Sequence, residues 1–172
     1  MNLQRMTFLS ILLLGVGASA LHATDYRSPL NVMAGTGIQL TGSDRLLSED
    51  GRIELTIDSD RHTVIRGIES KKLVWKTPTS GDFVELQSNG HFVQYKVDSL
   101  GEKKGIWESG AHREDIAGAR FILGNEGVLK VFVLDSNGEP IQPEIWKTWK
   151  IQERPSESGH SNQDHRMNRS PQ

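Results

Sequence analysis

From residue 35 to about residue 151, apolar side chains recur at every second position in short runs, and turn-forming residues break each run. Ile53, Leu55 and Ile57 alternate with Glu54 and Thr56, and residues 83–87 and 92–97 alternate likewise. A period of two is that of a half-buried strand, one face to a core and the other to water. No stretch carries a helical period that argues for a helix. The breaks, Ser48-Glu49-Asp50-Gly51, Ser88-Asn89-Gly90, Asn125-Glu126-Gly127 and Ser136-Asn137-Gly138, each offer Gly with Asn or Asp nearby, where a positive φ is needed. The expectation is an all-β domain of short strands joined by tight turns.

The pattern repeats three times. Aligned on tryptophan, Leu73-Val74-Trp75-Lys76-Thr77, Gly105-Ile106-Trp107-Glu108-Ser109 and Glu144-Ile145-Trp146-Lys147-Thr148 each place Ser or Thr two residues after Trp. An alternating hairpin precedes each, over residues 53–66, 83–95 and 121–132. One such unit cannot bury its apolar face alone, so three would pack about a shared axis with Trp75, Trp107 and Trp146 at its centre. The alternative is an ordinary β-sandwich with scattered tryptophans.

Both ends differ from this middle. Arg5, an apolar run over residues 7–16 and the small residues Ala18-Ser19-Ala20 form a signal peptide of residues 1–20, with a second cut site after Ala23. The apolar run is short for a membrane span, so a secreted, extracellular protein is expected, with no integral membrane segment. The domain then runs over residues 24–152. Residues 153–172 contain a single apolar side chain, Met167, and read as a disordered polar tail. His160, Asp164 and His165 there are poorly spaced for a metal site, and Asn168-Arg169-Ser170 is a sequon weakened by Pro171.

Composition then removes whole classes. The net charge of −2 becomes about −3 once Arg5 leaves with the leader, which supplies no field to gather nucleic acid. With no cysteine, disulfides, thiolate metal sites and cysteine nucleophiles are excluded. No Gly-x-Ser-x-Gly elbow, His-Glu-x-x-His helix or phosphate loop is present, so no enzyme is expected. No cofactor and no metal are expected either.

The sharpest candidate chemistry lies in the middle repeat, where Gln87, Asn89, His91, Val93 and Tyr95 occupy alternate positions and would share one face of an extended segment. Amide, imidazole and phenol groups around one apolar residue suit a monosaccharide, with polar partners for the hydroxyls and a contact for the ring carbons. The first repeat offers Asp58, Asp60, His62 and Val64 at the corresponding positions, with Arg66 in place of Tyr95. Asp58 and Asp60 also raise a metal or acid/base reading, for which no third ligand is in view. The third repeat, over residues 124–132, keeps almost none of the polar pattern.

These residues resemble the Gln-x-Asp-x-Asn-x-Val-x-Tyr signature of the bulb-type (monocot) mannose-binding lectins, the B-lectin domain. The resemblance covers about residues 30–151, including Gly37-Ile38-Gln39-Leu40, Leu46-Leu47-Ser48 and the Trp-x-Ser/Thr closures. It implies a β-prism II of three four-stranded antiparallel sheets with pseudo-three-fold symmetry. It also implies shallow sites for mannose-type glycans or glycoproteins, no metal, no catalysis, and a homodimer through the C-terminal strand over residues 144–151. Asn89 replaces the signature's Asp and His91 its Asn, and exchanging Asp for Asn removes a charge-assisted acceptor worth roughly 1 kcal/mol per bond. One imidazole in each row, His62 and His91, predicts weaker or altered binding near pH 5. A secreted protein-interaction module built on the same scaffold is the competing expectation.

Overall fold

The computed structural model describes residues 23–114 and 116–149. The expected leader over residues 1–20 and the polar tail over 153–172, with its histidines and sequon, lie outside them. No helix occurs among the described residues, and none is long and apolar enough to cross a membrane.

Along the chain, β1 (Asp25–Arg27) is followed by three short strands, β2 (Leu30–Met33), β3 (Gly37–Leu40) and β4 (Arg45–Leu47). The first repeat contributes β5 (Ile53–Ile57), β6 (Thr63–Gly67) and β7 (Leu73–Lys76). The middle repeat contributes β8 (Phe83–Gln87), β9 (Phe92–Val97) and β10 (Lys103–Glu108), and the third β11 (Gly118–Leu123), β12 (Leu129–Leu134) and β13 (Trp146–Lys147).

Each repeat forms three neighbouring antiparallel strands, and the N-terminal segment hands one strand to each sheet. β4 completes β5-β6-β7, β3 completes β8-β9-β10, and β2 completes β11-β12-β13. The result is a β-prism of three sheets. It departs from three four-stranded antiparallel sheets in one respect: β1 adds a fifth strand beside β4, and this pair is parallel. The fifth strand comes from residues upstream of the repeating part of the chain, so the three-fold pattern carries no sign of it.

Alternation decides which side chains face inward. Leu55 stands opposite Ile65, and Leu86 opposite Phe92. These four join Leu40, Leu46, Phe121, Leu123 and Leu129 in one core, each at most 1% exposed. Burying a side chain of this size stabilises the fold by about 1.5–3 kcal/mol. The three indoles meet, with ring centroids 5.6 Å apart for Trp75 and Trp107, 6.4 Å for Trp75 and Trp146, and 6.2 Å for Trp107 and Trp146. Phe92 touches all three, at 6.3, 5.6 and 5.8 Å.

The Trp-x-Ser/Thr closures have a backbone task. Thr77, Ser109 and Thr148 each accept, on the side-chain oxygen, the amide N–H of the first residue of their hairpin's second strand, Thr63, Phe92 and Leu129 respectively. Each returns its own N–H to that residue's carbonyl. Both main-chain groups at the start of the second strand are thus satisfied where that strand dives into the core.

Candidate carbohydrate site

Five turns, at residues 58–62, 87–91, 98–102, 124–128 and 135–139, share one pattern. The first residue's N–H donates to the fifth residue's carbonyl, and the fourth residue's N–H donates back to the first residue's carbonyl. The fourth residue has positive φ: Arg61, Gly90, Gly101, Gly127 and Gly138. In three of the turns the first residue is Asp, and its Oδ1 accepts the N–H groups of the third and fifth residues. Asp58 caps Asp60 and His62 in this way, Asp98 caps Leu100 and Glu102, and Asp135 caps Asn137 and Glu139.

The middle turn is built differently, and its side chains are placed differently as a result. Its first residue is Gln87, and the capping falls to Asn89, whose Oδ1 accepts the His91 N–H at 3.0 Å. Gln87 is thereby released from the turn, and its Nε2 donates to the Tyr95 hydroxyl at 3.1 Å. Tyr95 is steered by Phe83, opposite it on β8, with rings stacked at 5.1 Å and 15°. Burial pushes the Tyr95 pKa up and the Glu85 carboxylate adds to the effect, against the opposing Gln87 bond. The phenol therefore keeps its proton. With its oxygen occupied by the Gln87 N–H, that proton is left to donate outward, and Gln87 Oε1 is left to accept.

The row of five residues is not one extended strand. Gln87 ends β8, Asn89 and His91 lie in the turn, and Val93 and Tyr95 belong to β9. Gln87, Val93 and Tyr95 still share a face, because the hairpin sets Glu85 opposite Val93 and Phe83 opposite Tyr95, and the outward positions of both strands coincide. The turn expected at Ser88-Asn89-Gly90, with its positive φ at Gly90, falls within the row and breaks the extended segment in which the five residues were expected to alternate. Val93 is only 4% exposed, so it is floor to this face more than contact surface.

His91 closes one end of the row. Its Nε2 is buried without a hydrogen bond, although Glu108 Oε2 stands 3.3 Å away off the bonding direction. Burial lowers the His91 pKa, Glu108 pulls it back up, and His112, with ring centroids 5.4 Å apart, lowers it again. The net direction is down, so the ring is neutral at pH 7.

The corresponding face of the first repeat is occupied by its own ions. Asp58 and Asp60 lie in the turn rather than on one strand face, and Asp58 is spent on capping. His62 Nδ1 lies 2.9 Å from the Thr77 carbonyl, and Val64 is 1% exposed. Arg66, in the position of Tyr95, donates from Nε to Glu54 Oε1 at 2.7 Å. Glu54 also faces Arg45 at 3.5 Å, and Arg45 forms a two-pronged bond with Asp25 of β1 at 2.9 and 2.8 Å. Among the described residues no group of three His, Asp or Glu side chains is arranged to hold a metal. In the third repeat the positions of Val93 and Tyr95 are filled by Lys130 and Phe132, and Lys130 pairs with Glu126 at 3.8 Å.

Three sheets packed about a cluster of three tryptophans define a bulb-type-lectin-like β-prism fold. No protein-family model matches the chain, and no match is found among curated proteins. Among solved structures the chain is similar to a lectin from Marasmius oreades, with 20% identity, a TM-score of 0.55, and 74% of this chain and 95% of that one covered. More distant matches are the mannose-specific agglutinin of snowdrop (Galanthus nivalis) bulbs complexed with methyl-α-D-mannoside and a domain-swapped lectin dimer from Mycobacterium smegmatis. The first has 20% identity, a TM-score of 0.45, and coverage of 57% and 85%. The second has 23% identity, a TM-score of 0.32, and coverage of 70% and 97%. At these identities the likeness is one of fold, and it rests on the first of the three.

Proposed function

We propose that this chain is a secreted carbohydrate-binding protein without enzymatic activity that holds a neutral hexose, mannose foremost, on the outer face of its middle repeat. The observation that carries the reading is the release of Gln87 from turn capping and its bond to Tyr95. That bond leaves one directed acceptor and one directed donor side by side above Val93, as adjacent sugar hydroxyls require. The lectin name of the Marasmius oreades neighbour supports the same class. One working site per chain follows from the ion ladder on the first repeat and from Lys130 and Phe132 on the third. A single shallow site binds weakly, which favours a homodimer through the C-terminal strand as the working form. In the single chain β13 lies against its own β12, and an exchange would replace that pairing with its equivalent in a second copy.

The test is a glycan array probed with the full chain and with a Gln87→Ala/Tyr95→Ala variant whose fold is verified by circular dichroism. Retention of mannose-containing glycans by the parent and not by the variant is expected. A folded parent that binds no glycan refutes the reading. It would favour a protein-interaction module, for which Trp149, 75% exposed, and Ile141, 47% exposed, supply apolar surface.

A further inference from the structure

Asp44 is a buried carboxylate with no ionic side-chain partner among the described residues. It sits between β3 and β4, 9% exposed, and every donor that reaches it is uncharged. Oδ2 accepts the Thr41 N–H at 2.9 Å and the Thr41 hydroxyl at 2.7 Å, and Oδ1 accepts the Thr24 N–H at 2.9 Å. Burial pushes its pKa up, but these bonds outweigh burial and hold it below the ordinary carboxylate value. Asp25, Glu54, Asp82 and Glu144 each have an Arg or Lys partner, whereas Asp44 has no ion pair among the described residues. A charge withdrawn from water in this way is stable only when paired or fully bonded.

The donor on Oδ1 is the one whose charge can change. Thr24 adjoins the first sheet: its carbonyl accepts the Arg45 N–H at 2.9 Å, and β1 starts at the next residue. Ala23, immediately before it, is exposed and is the second of the two cut sites read from the sequence. We infer that the leader is removed between Ala23 and Thr24, and that the α-ammonium this creates is the counter-ion of Asp44. The inference rests on the export reading above. Hydrolysis by a leader peptidase consumes one water, leaves the new carboxylate on Ala23 with the leader, and leaves the amine on Thr24. That amine takes up a proton at neutral pH, since an α-amino group titrates near ~7.7–8.0. A cut after Ala20 would keep Leu21-His22-Ala23 ahead of Thr24, whose nitrogen would remain a neutral amide. The pairing also clamps the outer edge of the first sheet, where Asp25 of β1 holds Arg45 and so the ion ladder beneath it.

The experiment is to release the full chain from a secreting host with its own leader and to determine the N-terminal sequence and intact mass of the product. A chain beginning at Thr24 is expected. One beginning at Leu21 overturns the inference and leaves the export reading standing, while a chain kept in the cell with residues 1–20 attached overturns both. In a second arm, the Thr24 chain is melted at pH 6.5 with a free or an acetylated N-terminus, since acetylation keeps the N–H and removes only the charge. The free form is expected to melt about 3 °C higher, the usual scale for one such interaction, and the difference is expected to vanish with Asp44→Asn. Equal melting of the free and acetylated forms overturns the ion pair whether or not the Asp44→Asn chain folds.

Discussion

Gly90→Ala tests whether the middle turn is held in place by its neighbour. Gly90 has φ +84°, a conformation that costs an L-residue about 1–2 kcal/mol. A methyl at that Cα would stand 2.6 Å from Ile145 Cδ1, just before β13 of the third sheet. Cδ1 is the free end of a side chain and can swing away, so the steric part sits near the low end of overpacking, about 1 kcal/mol. The single variant should lose about 2–3 kcal/mol in urea unfolding. Ile145→Val alone should cost about 1 kcal/mol. Because it removes the clashing atom, the double variant should be about 1 kcal/mol more stable than the sum of the singles. Sugar retention should fall in Gly90→Ala, since the turn carries Asn89 and His91, and should partly return in the double variant. Additivity of the two substitutions within about 0.3 kcal/mol would show that the close approach carries none of the cost, and the packing argument would fail.

Glu54→Gln should cost about 2–3 kcal/mol in chemical denaturation and leave glycan binding unchanged, because it strips the shared anion from two arginines on the first repeat only; a loss under 0.5 kcal/mol would mark the ladder as ordinary surface. Phe92→Ala should cost about 3–5 kcal/mol, since its ring fills the space among the three indoles, and tryptophan fluorescence should change with it. The His91 pKa lies below its ordinary value in the folded state, so the unfolded chain takes up the proton first as pH falls. Stability should be level above about 6.5 and decline as the pH drops from there toward the folded value, and His91→Asn should flatten that decline. The carboxyl of Asp44, held below its ordinary value, contributes stability that is complete above about 4 and lost below it, outside the histidine window. An unchanged melting temperature from pH 7 to 5 would contradict the burial assigned to His91.

Much of the architecture is written in local pattern. Period-two runs, Gly at the turns and the thrice-repeated Trp-x-Ser/Thr are enough to predict short strands, three hairpin units and a tryptophan axis. Each of these follows from what a residue and its near neighbours in the chain can bury or bond. The turn at Ser88-Asn89-Gly90 was legible too, but alternation alone treats residues 87–95 as one extended row, and how the side chains of Gln87, Val93 and Tyr95 come to one face across that turn depends on the pairing of β8 with β9.

What only the tertiary structure decided depends on pairing between distant segments. The distribution of β2, β3 and β4 one to each sheet, and the parallel docking of β1 on β4, join residues that have no shared local pattern. The same holds for the contrast between the repeats. Asp58 and Gln87 occupy equivalent places, yet the first folds back to cap its own turn and the second reaches across the hairpin to Tyr95. Arg66 becomes structural only because Glu54 and Arg45 come from adjacent strands to meet it. Composition and spacing name the groups that can bond, whereas which of them are already satisfied, and so unavailable to a ligand, is settled by the three-dimensional set of partners.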